Sequence, residues 1–140
     1  MNLIKYFAAI AIAVIISSCS FFDQRFNLSG TAEGVEDGTV LIDDVATGTL
    51  QAARIKNGRF EIKDRYVQKP GYYNMVLTVD GNPPKNYTIY LERGDYKVNF
   101  KKEDEYPQII SSSKTQTEVS AYQAMLTVAR KKKNQGAAVG

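Results

Sequence analysis

Short runs of alternating apolar and polar residues, separated by turn residues, dominate the sequence from Phe26 to Ser113. Turn signals recur at about every 8–12 positions, which is typical of all-β domains, because each run is long enough for one strand with one buried face. The plainest case is residues 53–63, where Asn57-Gly58 separates two alternating runs. Since Asn and Gly both accept a positive φ angle, this dipeptide predicts a two-residue type I′ hairpin turn.

The whole segment 25–113 is therefore expected to form one domain of seven to eight antiparallel strands. Two or more apolar faces cannot be buried by a flat sheet, so the strands predict an antiparallel β-sandwich or a flattened barrel. Arg93-Gly94-Asp95 lies between two of the predicted strands. The triplet spells an integrin-binding motif, but its glycine and aspartate are typical of a tight turn, which is the preferred interpretation.

The hydrophobic period changes from two to three or four after the last predicted strand. The residues that carry the new period are Val119, Tyr122, Leu126 and Ala129. They predict an amphipathic helix over residues 114–133, docked beside the strands or projecting from them. Thr115 and Glu118 fit a capping box at its start. The cations of Arg130–Lys133 would complement the carbonyl end of the helix, and the tail 134–140 is expected to be disordered.

Residues 1–18 have the layout of a secretory signal peptide, in which Lys5 precedes an apolar run of 11 residues. A membrane-spanning helix needs about 20 apolar residues, so this run is too short to be one. The segment Ile16-Ser17-Ser18-Cys19 resembles the lipobox of bacterial lipoproteins. The resemblance implies cleavage before Cys19, a diacylglyceryl thioether on its sulfur, and a linker over residues 19–24.

Cys19 would then anchor the protein to membrane lipid, and two or more acyl chains are enough for stable anchoring. The residues that follow it, Ser20-Phe21-Phe22-Asp23, lack the acidic run that some Gram-negative lineages use for surface export. The expected location is the bacterial cell envelope, on the outer membrane and facing the periplasm. An ordinary secretory signal followed by a chance cysteine is the alternative.

Composition excludes most familiar catalytic chemistry. The chain has no histidine and one cysteine, which rules out His-based acid–base pairs, His/Cys metal sites, CxxC redox pairs and internal disulfides. Its 18 basic and 15 acidic side chains nearly cancel, so nucleic acid is not an expected partner. Asp37, Asp43 and Asp44 lie close together in sequence, but their spacing matches no calcium loop, and a solvated turn is preferred. We expect a non-enzyme without cofactor or metal.

The nine tyrosines offer a candidate binding surface. Tyr72 and Tyr90 alternate with the core positions Tyr73 and Ile89, so they should point outward. An exposed aromatic patch can stack on a sugar or contact a protein, while packing inside a covered sheet is the alternative. The basic run Arg130–Lys133 can contact anionic lipid headgroups or form a solvated helix end.

Four segments together resemble one protein family. They are Phe26-Asn27-Leu28-Ser29-Gly30, Gly38-Thr39-Val40-Leu41-Ile42, Ile55-Lys56-Asn57-Gly58-Arg59-Phe60-Glu61-Ile62 and Tyr90-Leu91-Glu92-Arg93-Gly94-Asp95-Tyr96-Lys97-Val98. They resemble the domain of unknown function that precedes the thioredoxin-like domain in many lipid-anchored thiol-disulfide oxidoreductases of Gram-negative bacteria. The resemblance covers about residues 25–125 and implies an accessory β-sandwich. No CxxC and no thioredoxin-like segment follows in this sequence, so redox activity is not carried over.

The leading hypothesis is a membrane-anchored lipoprotein whose β-sandwich is a non-catalytic interaction module. It would act with another envelope protein, such as a thioredoxin-like protein. One alternative is a lipoprotein that binds a glycan or a peptide. Another is a truncated remnant of a thiol-disulfide oxidoreductase that lacks its redox domain.

Overall fold

The computed structural model describes residues 25–44, 48–67 and 69–139, without the side chains of residues 49, 50 and 137–139. The predicted signal peptide 1–18, the anchor Cys19 and the linker 19–24 lie outside the described residues. No helix in the described ranges is long and apolar enough to cross a membrane.

Eight strands and one helix follow one another along the described chain. They are β1 (Arg25–Ala32), β2 (Asp37–Asp44), β3 (Gly48–Lys56), β4 (Arg59–Tyr66), β5 (Gly71–Thr78), β6 (Lys85–Leu91), β7 (Gly94–Phe100), β8 (Gln108–Ser111) and α1 (Lys114–Val139). The predicted hairpin turn is confirmed, because Asn57 and Gly58 have φ angles of 51° and 74°. The mostly β class with a C-terminal helix is confirmed as well.

All eight strands belong to one mixed sheet in the order β6-β5-β2-β3-β4-β1-β7-β8. Neighbours are antiparallel except β1 and β7, which run parallel from Phe26 opposite Gly94 to Ala32 opposite Phe100. The expectation of purely antiparallel strands is wrong at this pair. It failed because alternation shows which face of a strand is buried and does not show the direction of its neighbour.

The sheet is strongly curled, as its connections require. Only Glu92 and Arg93 join β6, at one edge, to β7, the second strand from the other edge. In a flat sheet those two strands would lie about 29 Å apart, which is more than a two-residue connection can span. Of the predicted Arg93-Gly94-Asp95 turn, only Arg93 lies in this connection, because Gly94 and Asp95 begin β7, and the strands that it joins are not paired.

The concave side of the sheet encloses the hydrophobic core. Every strand contributes to one buried cluster, which includes Leu28, Val40, Ile55, Ile62, Met75, Ile89, Val98 and Ile109. The expected β-sandwich is not confirmed, because the buried faces belong to one curled sheet rather than to two stacked ones. Strands of either architecture carry the same alternation, so the sequence pattern does not separate them.

The curled sheet has two ends, named here by the course of β1. The near end is where β1 begins at Arg25, and the far end is where it finishes at Ala32. The turns at the far end are residues 33–36, 57–58, 79–84 and 101–107. Gly94, Leu91 and the start of α1 lie at the near end.

Helix α1 begins at the near end and runs along the gap between the edge strands β6 and β8, contacting both. At the far end Arg130 Nη1 donates a 3.0 Å hydrogen bond to Glu105 Oε2. The N-cap is Ser113, whose hydroxyl accepts from the backbone N–H of Gln116 at 3.2 Å. The predicted cap at Thr115 is therefore wrong by two residues, since Ser113 starts an equally good S-x-x-Q signal.

The helix also continues past the predicted end at Lys133 to Val139, so most of the tail expected to be disordered is helical. The only breaker there is Gly136, and one glycine costs a helix about 1 kcal/mol relative to alanine. Alanine and glutamine around it favour the helix. The residues from Lys132 to Gly136 are all exposed, so the end of α1 projects into solvent beyond the contact of Arg130 with Glu105.

Candidate functional site

Gln116 closes the gap between the two sheet edges. It is fully buried, and its Oε1 accepts from the backbone N–H of Tyr90 at 2.7 Å. Its Nε2 donates to the hydroxyls of Tyr106 and Ser120, both at 3.1 Å. The Tyr106 hydroxyl donates in turn to the carbonyl of Thr88 at 2.7 Å. Side chains thus satisfy backbone groups that an edge strand would otherwise leave unpaired.

The hydroxyl of Tyr106 is well suited to this role. Burial raises the pKa of Tyr106 above its ordinary value, and the bond with Gln116 offsets part of that rise. The phenol therefore stays protonated at neutral pH and can donate to Thr88. The result is that α1 is held firmly against the outer side of β6.

A groove lies between α1 and the outer face of β5 and β6, with a volume of about 390 Å³. We call it the tyrosine groove; its lining residues are Tyr72, Thr88, Thr115, Glu118, Val119, Tyr122 and Gln123. Tyr72 stands directly opposite Tyr90 on the antiparallel pair. Their rings meet edge to face, with centroids 5.2 Å apart and planes at 75°, which is a favoured aromatic geometry.

The groove opens onto exposed apolar side chains of α1. Together with Tyr72 of β5 they form a surface that we call the apolar strip. Its members and their exposed fractions are Tyr72 (64%), Tyr122 (55%), Met125 (61%) and Val128 (54%). Residues three apart are neighbours on a helix surface, so the three helical members are adjacent. The predicted outward orientation of Tyr72 and Tyr90 is confirmed, with Tyr90 half-buried.

The helical part of the strip was missed by the sequence pattern. Tyr122 and Ala129 belong to the apolar stripe of the predicted amphipathic helix, and both are exposed. Val119 and Leu126 are half-buried, as expected for the inner face. The side chains closest to the sheet are instead polar, because the strand edges need hydrogen-bond partners. The sequence does carry a signal for this polar inner face. Uncharged polar residues recur at helical spacing, at Gln116, Ser120, Gln123 and Thr127.

The strip ends in positive charge. Lys132 and Lys133 follow Val128 by four and five positions and are exposed, whereas Lys131 lines a separate hollow with Glu105 and Thr127. Arg130 beside them is paired with Glu105. An apolar surface bordered by cations is therefore the chemical character of this side of α1.

The acidic candidates do not come together as a metal site. Asp37 accepts two hydrogen bonds from Arg54, Nε to Oδ1 and Nη2 to Oδ2, both at 3.1 Å. That pairing holds the pKa of Asp37 below its ordinary value. Asp43 and Asp44 lie at the other end of β2, about 20 Å away by strand rise. Within the described ranges no three Cys, His, Asp or Glu side chains are grouped so that they could hold a metal ion.

The Arg93-Gly94-Asp95 triplet is tied into the sheet. Gly94 has a φ of 136°, a conformation that disfavours side chains. Asp95 Oδ1 accepts from Asn27 Nδ2 at 2.8 Å across the parallel pair. These contacts give the glycine and the aspartate a local structural role.

The model of a protein family described as a domain of unknown function, DUF4369, matches residues 26–119. This range contains all eight strands and the start of α1 with Gln116. Tyr122, Met125 and Val128 lie beyond it. No curated protein and no solved structure matches the chain.

Proposed function

Since the chain belongs to the DUF4369 family of domains of unknown function, we propose that it is a lipid-anchored, non-catalytic binding module of the bacterial envelope. The likeness of Ile16–Cys19 to a lipobox supports the anchor on Cys19 and a place on the outer membrane, facing the periplasm. The module acts with a second envelope protein, for which the resemblance to thioredoxin-associated domains suggests a thioredoxin-like protein.

The observation that carries the proposal is the apolar strip. Isolated exposed apolar residues are normal on a soluble protein, but neighbouring ones form contact surfaces. Tyrosine and methionine are enriched at protein interfaces, where charged residues are depleted from the centre. Tyr72, Tyr122 and Met125 meet that description, since each is more than half exposed.

The chemistry of the strip specifies the partner's surface. An apolar patch is needed opposite Tyr122 and Met125, and acidic side chains are needed opposite Lys132 and Lys133. Complementary charge would raise the association rate, while the buried aromatic contacts would supply most of the affinity. The partner contacts α1 and β5 together, because the bond between Gln116 and Tyr90 holds the two walls in place.

The experiment is cross-linking in cells from defined positions, followed by mass spectrometry of the envelope fraction. A photoreactive amino acid replaces Met125 in one version and Glu61 in the other. Glu61 is an exposed control on β4, near the middle of the sheet order and far from α1. We expect one protein to be captured from position 125 and not from position 61. The captured protein should have an apolar surface patch with acidic residues at its border. Cys19→Ala serves as the unanchored control.

Two variants then test the surface itself. Tyr122→Ser should reduce capture about tenfold or more, as expected for an aromatic contact worth 1.4 kcal/mol or more. Replacement of Lys132 and Lys133 by glutamine should slow capture most at low salt. Equal capture from positions 125 and 61, or capture unaffected by Tyr122→Ser, would contradict the proposal.

A glycan is the competing occupant of the tyrosine groove, since exposed tyrosine rings can stack on sugars. Cell-wall glycan fragments would then raise the melting temperature of the wild type and not of a Tyr72→Ser variant. If that result were obtained and no protein were specifically captured, the ligand of the tyrosine groove would be a glycan and not a protein.

A further inference from the structure

The far end of the curled sheet holds a second concavity, of about 370 Å³, which is separate from the tyrosine groove. It opens between the turns 33–36 and 79–84 and the end of β7. Its apolar lining includes Val35, Leu77, Val79, Tyr87 and Phe100. Mouths of β-barrels and apolar clefts of about 300–1,000 Å³ are where small ligands bind.

The hydrophobic core is incompletely covered at this end. Leu77 and Phe100 belong to the buried cluster. Among the described residues four partly buried apolar side chains pack against that cluster, and three of them, Val35, Val79 and Tyr87, line this cavity. Tyr87 also packs on Phe100, with ring centroids 5.5 Å apart. The cavity is therefore an apolar pocket that reaches from solvent to the core.

The rim of the pocket is positively charged. Its charged lining residues are Lys85, Lys101, Lys102 and Glu33. Within the described part of the chain none of the three lysines forms a salt bridge. Glu33 is engaged otherwise, because its Oε2 accepts from the backbone N–H of Lys102 at 3.0 Å. Three ammonium groups that form no salt bridge with a described residue thus border an apolar pocket.

Two of the lining residues, Lys102 and Tyr87, carry hydrogen-bond donors. The Lys102 side chain lies over Gly34, where an added Cβ would come within 2.4 Å of its Cε. Tyr87 is also a lining residue, and its hydroxyl forms no hydrogen bond with any described residue. Burial raises the pKa of Tyr87, so this hydroxyl is a neutral donor at physiological pH.

We infer that the far-end pocket binds an amphipathic carboxylate, with its apolar body against Leu77, Val79 and Phe100 and its head group among the three lysines. A cavity of about 150 Å³ holds benzene. By that measure the pocket accepts on the order of fifteen non-hydrogen atoms, the size of a medium-chain fatty acid. The inference is independent of the proposed function, since the pocket shares no residue with the apolar strip.

Photolabelling with a diazirine derivative of dodecanoate tests the inference. The full chain is reconstituted in lipid nanodiscs, so that no detergent competes for the pocket, and the labelled residues are mapped by mass spectrometry. We expect labels within 33–35, 77–87 and 100–102, which unlabelled dodecanoate removes. The matching diazirine derivative of dodecanol should label these residues at least about fivefold less, since it lacks the charge that the lysines recognise.

The variants separate charge from shape. Joint replacement of Lys85, Lys101 and Lys102 by glutamine should reduce labelling about tenfold or more, because charge-assisted hydrogen bonds are lost. The matched control replaces Lys56, Lys63 and Lys97 by glutamine, which removes equal charge from the outer face and should leave labelling unchanged. Val79→Trp fills the pocket and should abolish labelling by both probes.

Circular dichroism melts identify any variant that has lost its fold, and such a variant is replaced by the corresponding single substitutions. Labels outside the far end would overturn the inference. An equal loss of labelling in the two triple-lysine variants would also overturn it, and so would equal labelling by the dodecanoate and dodecanol probes. Cross-linking from Met125 reports on the proposed function separately, because position 125 lies outside the pocket.

Discussion

The backbone N–H of Tyr90 donates a 2.7 Å hydrogen bond to the side-chain oxygen of Gln116, which is fully buried. This bond joins the edge of β6 to the first turn of α1. The Tyr90 ring supports Tyr72 on the opposite wall of the tyrosine groove. One glutamine therefore closes the curled sheet and sets the spacing of the groove.

Replacing Gln116 by leucine should destabilise the domain by about 2–3 kcal/mol. Leucine has a similar volume but leaves the N–H of Tyr90 buried without a partner, and each such group costs about 1–3 kcal/mol. Urea unfolding followed by circular dichroism measures the free energy of unfolding. The matched control is Gln135→Leu on the exposed part of α1, which should change it by less than about 0.5 kcal/mol. Equal stability of the two variants would show that Gln116 does not close the sheet.

The second prediction concerns the N-cap of α1, which the structure places at Ser113 and the sequence pattern placed at Thr115. Ser113→Ala should cost about 1 kcal/mol, because the hydroxyl that accepts from the N–H of Gln116 is lost. Thr115→Ala should leave the stability unchanged or raise it by a few tenths of a kcal/mol, since alanine is a better helix former than threonine at a position inside the helix. Thermal unfolding of both variants ranks them. The reverse order would restore the cap that the sequence pattern predicted at Thr115.

The strands were largely predictable, because the signal they need is local. The Asn57-Gly58 turn and the alternation around Val40, Ile42 and Met75 depend only on neighbouring residues. Closure of the sheet was not predictable in this way. It depends on the parallel pairing of β1 with β7, between residues 68 positions apart such as Phe26 and Gly94. Nothing in local periodicity encodes such a contact.

The candidate site was predictable only in its strand half. Tyr72 and Tyr90 follow from the period of two in β5 and β6. Tyr122 belongs to the apolar stripe of the predicted helix, and such a stripe usually faces a core. Here the inner face carries Gln116, which satisfies strand edges instead of filling a core. The three lysines of the far-end pocket come from the start of β6 and from the turn after β7, so only the fold brings them together.

Alkaline pH should weaken the closure of the sheet through Tyr106. Burial raises the pKa of this phenol above its ordinary value of about 10. The stabilisation is therefore complete below pH of about 10 and is lost as the pH rises through the folded-state pKa. Tyr106→Phe cannot ionise and lacks the bonds to Thr88 and Gln116, so it should be less stable by about 1 kcal/mol at neutral pH.

The stability difference between wild type and Tyr106→Phe should shrink as the pH rises above 10, because only the wild type loses this contribution. Melting temperatures measured in parallel from neutral to alkaline pH give the difference directly. Met125→Leu is the control, since it changes an exposed side chain that has no ionisable group and should give a difference that does not vary with pH. A constant difference for Tyr106→Phe would mean that its ionisation is not linked to folding.

The parallel pairing of β1 and β7 can be tested by one added methyl group. Gly30 lies between Val98 on β7 and Phe60 on β4, and a Cβ at this position would come 1.6 Å from the carbonyl oxygen of Val98. That oxygen belongs to a strand in the interior of the sheet, so it cannot move aside cheaply. Gly30→Ala should therefore cost at least about 3 kcal/mol. Gly136→Ala, at an exposed helical position with no atom nearby, should gain about 0.5–1 kcal/mol. Urea unfolding of the two variants would show opposite shifts, whereas a fully stable Gly30→Ala variant would refute the close approach of β1 to β7.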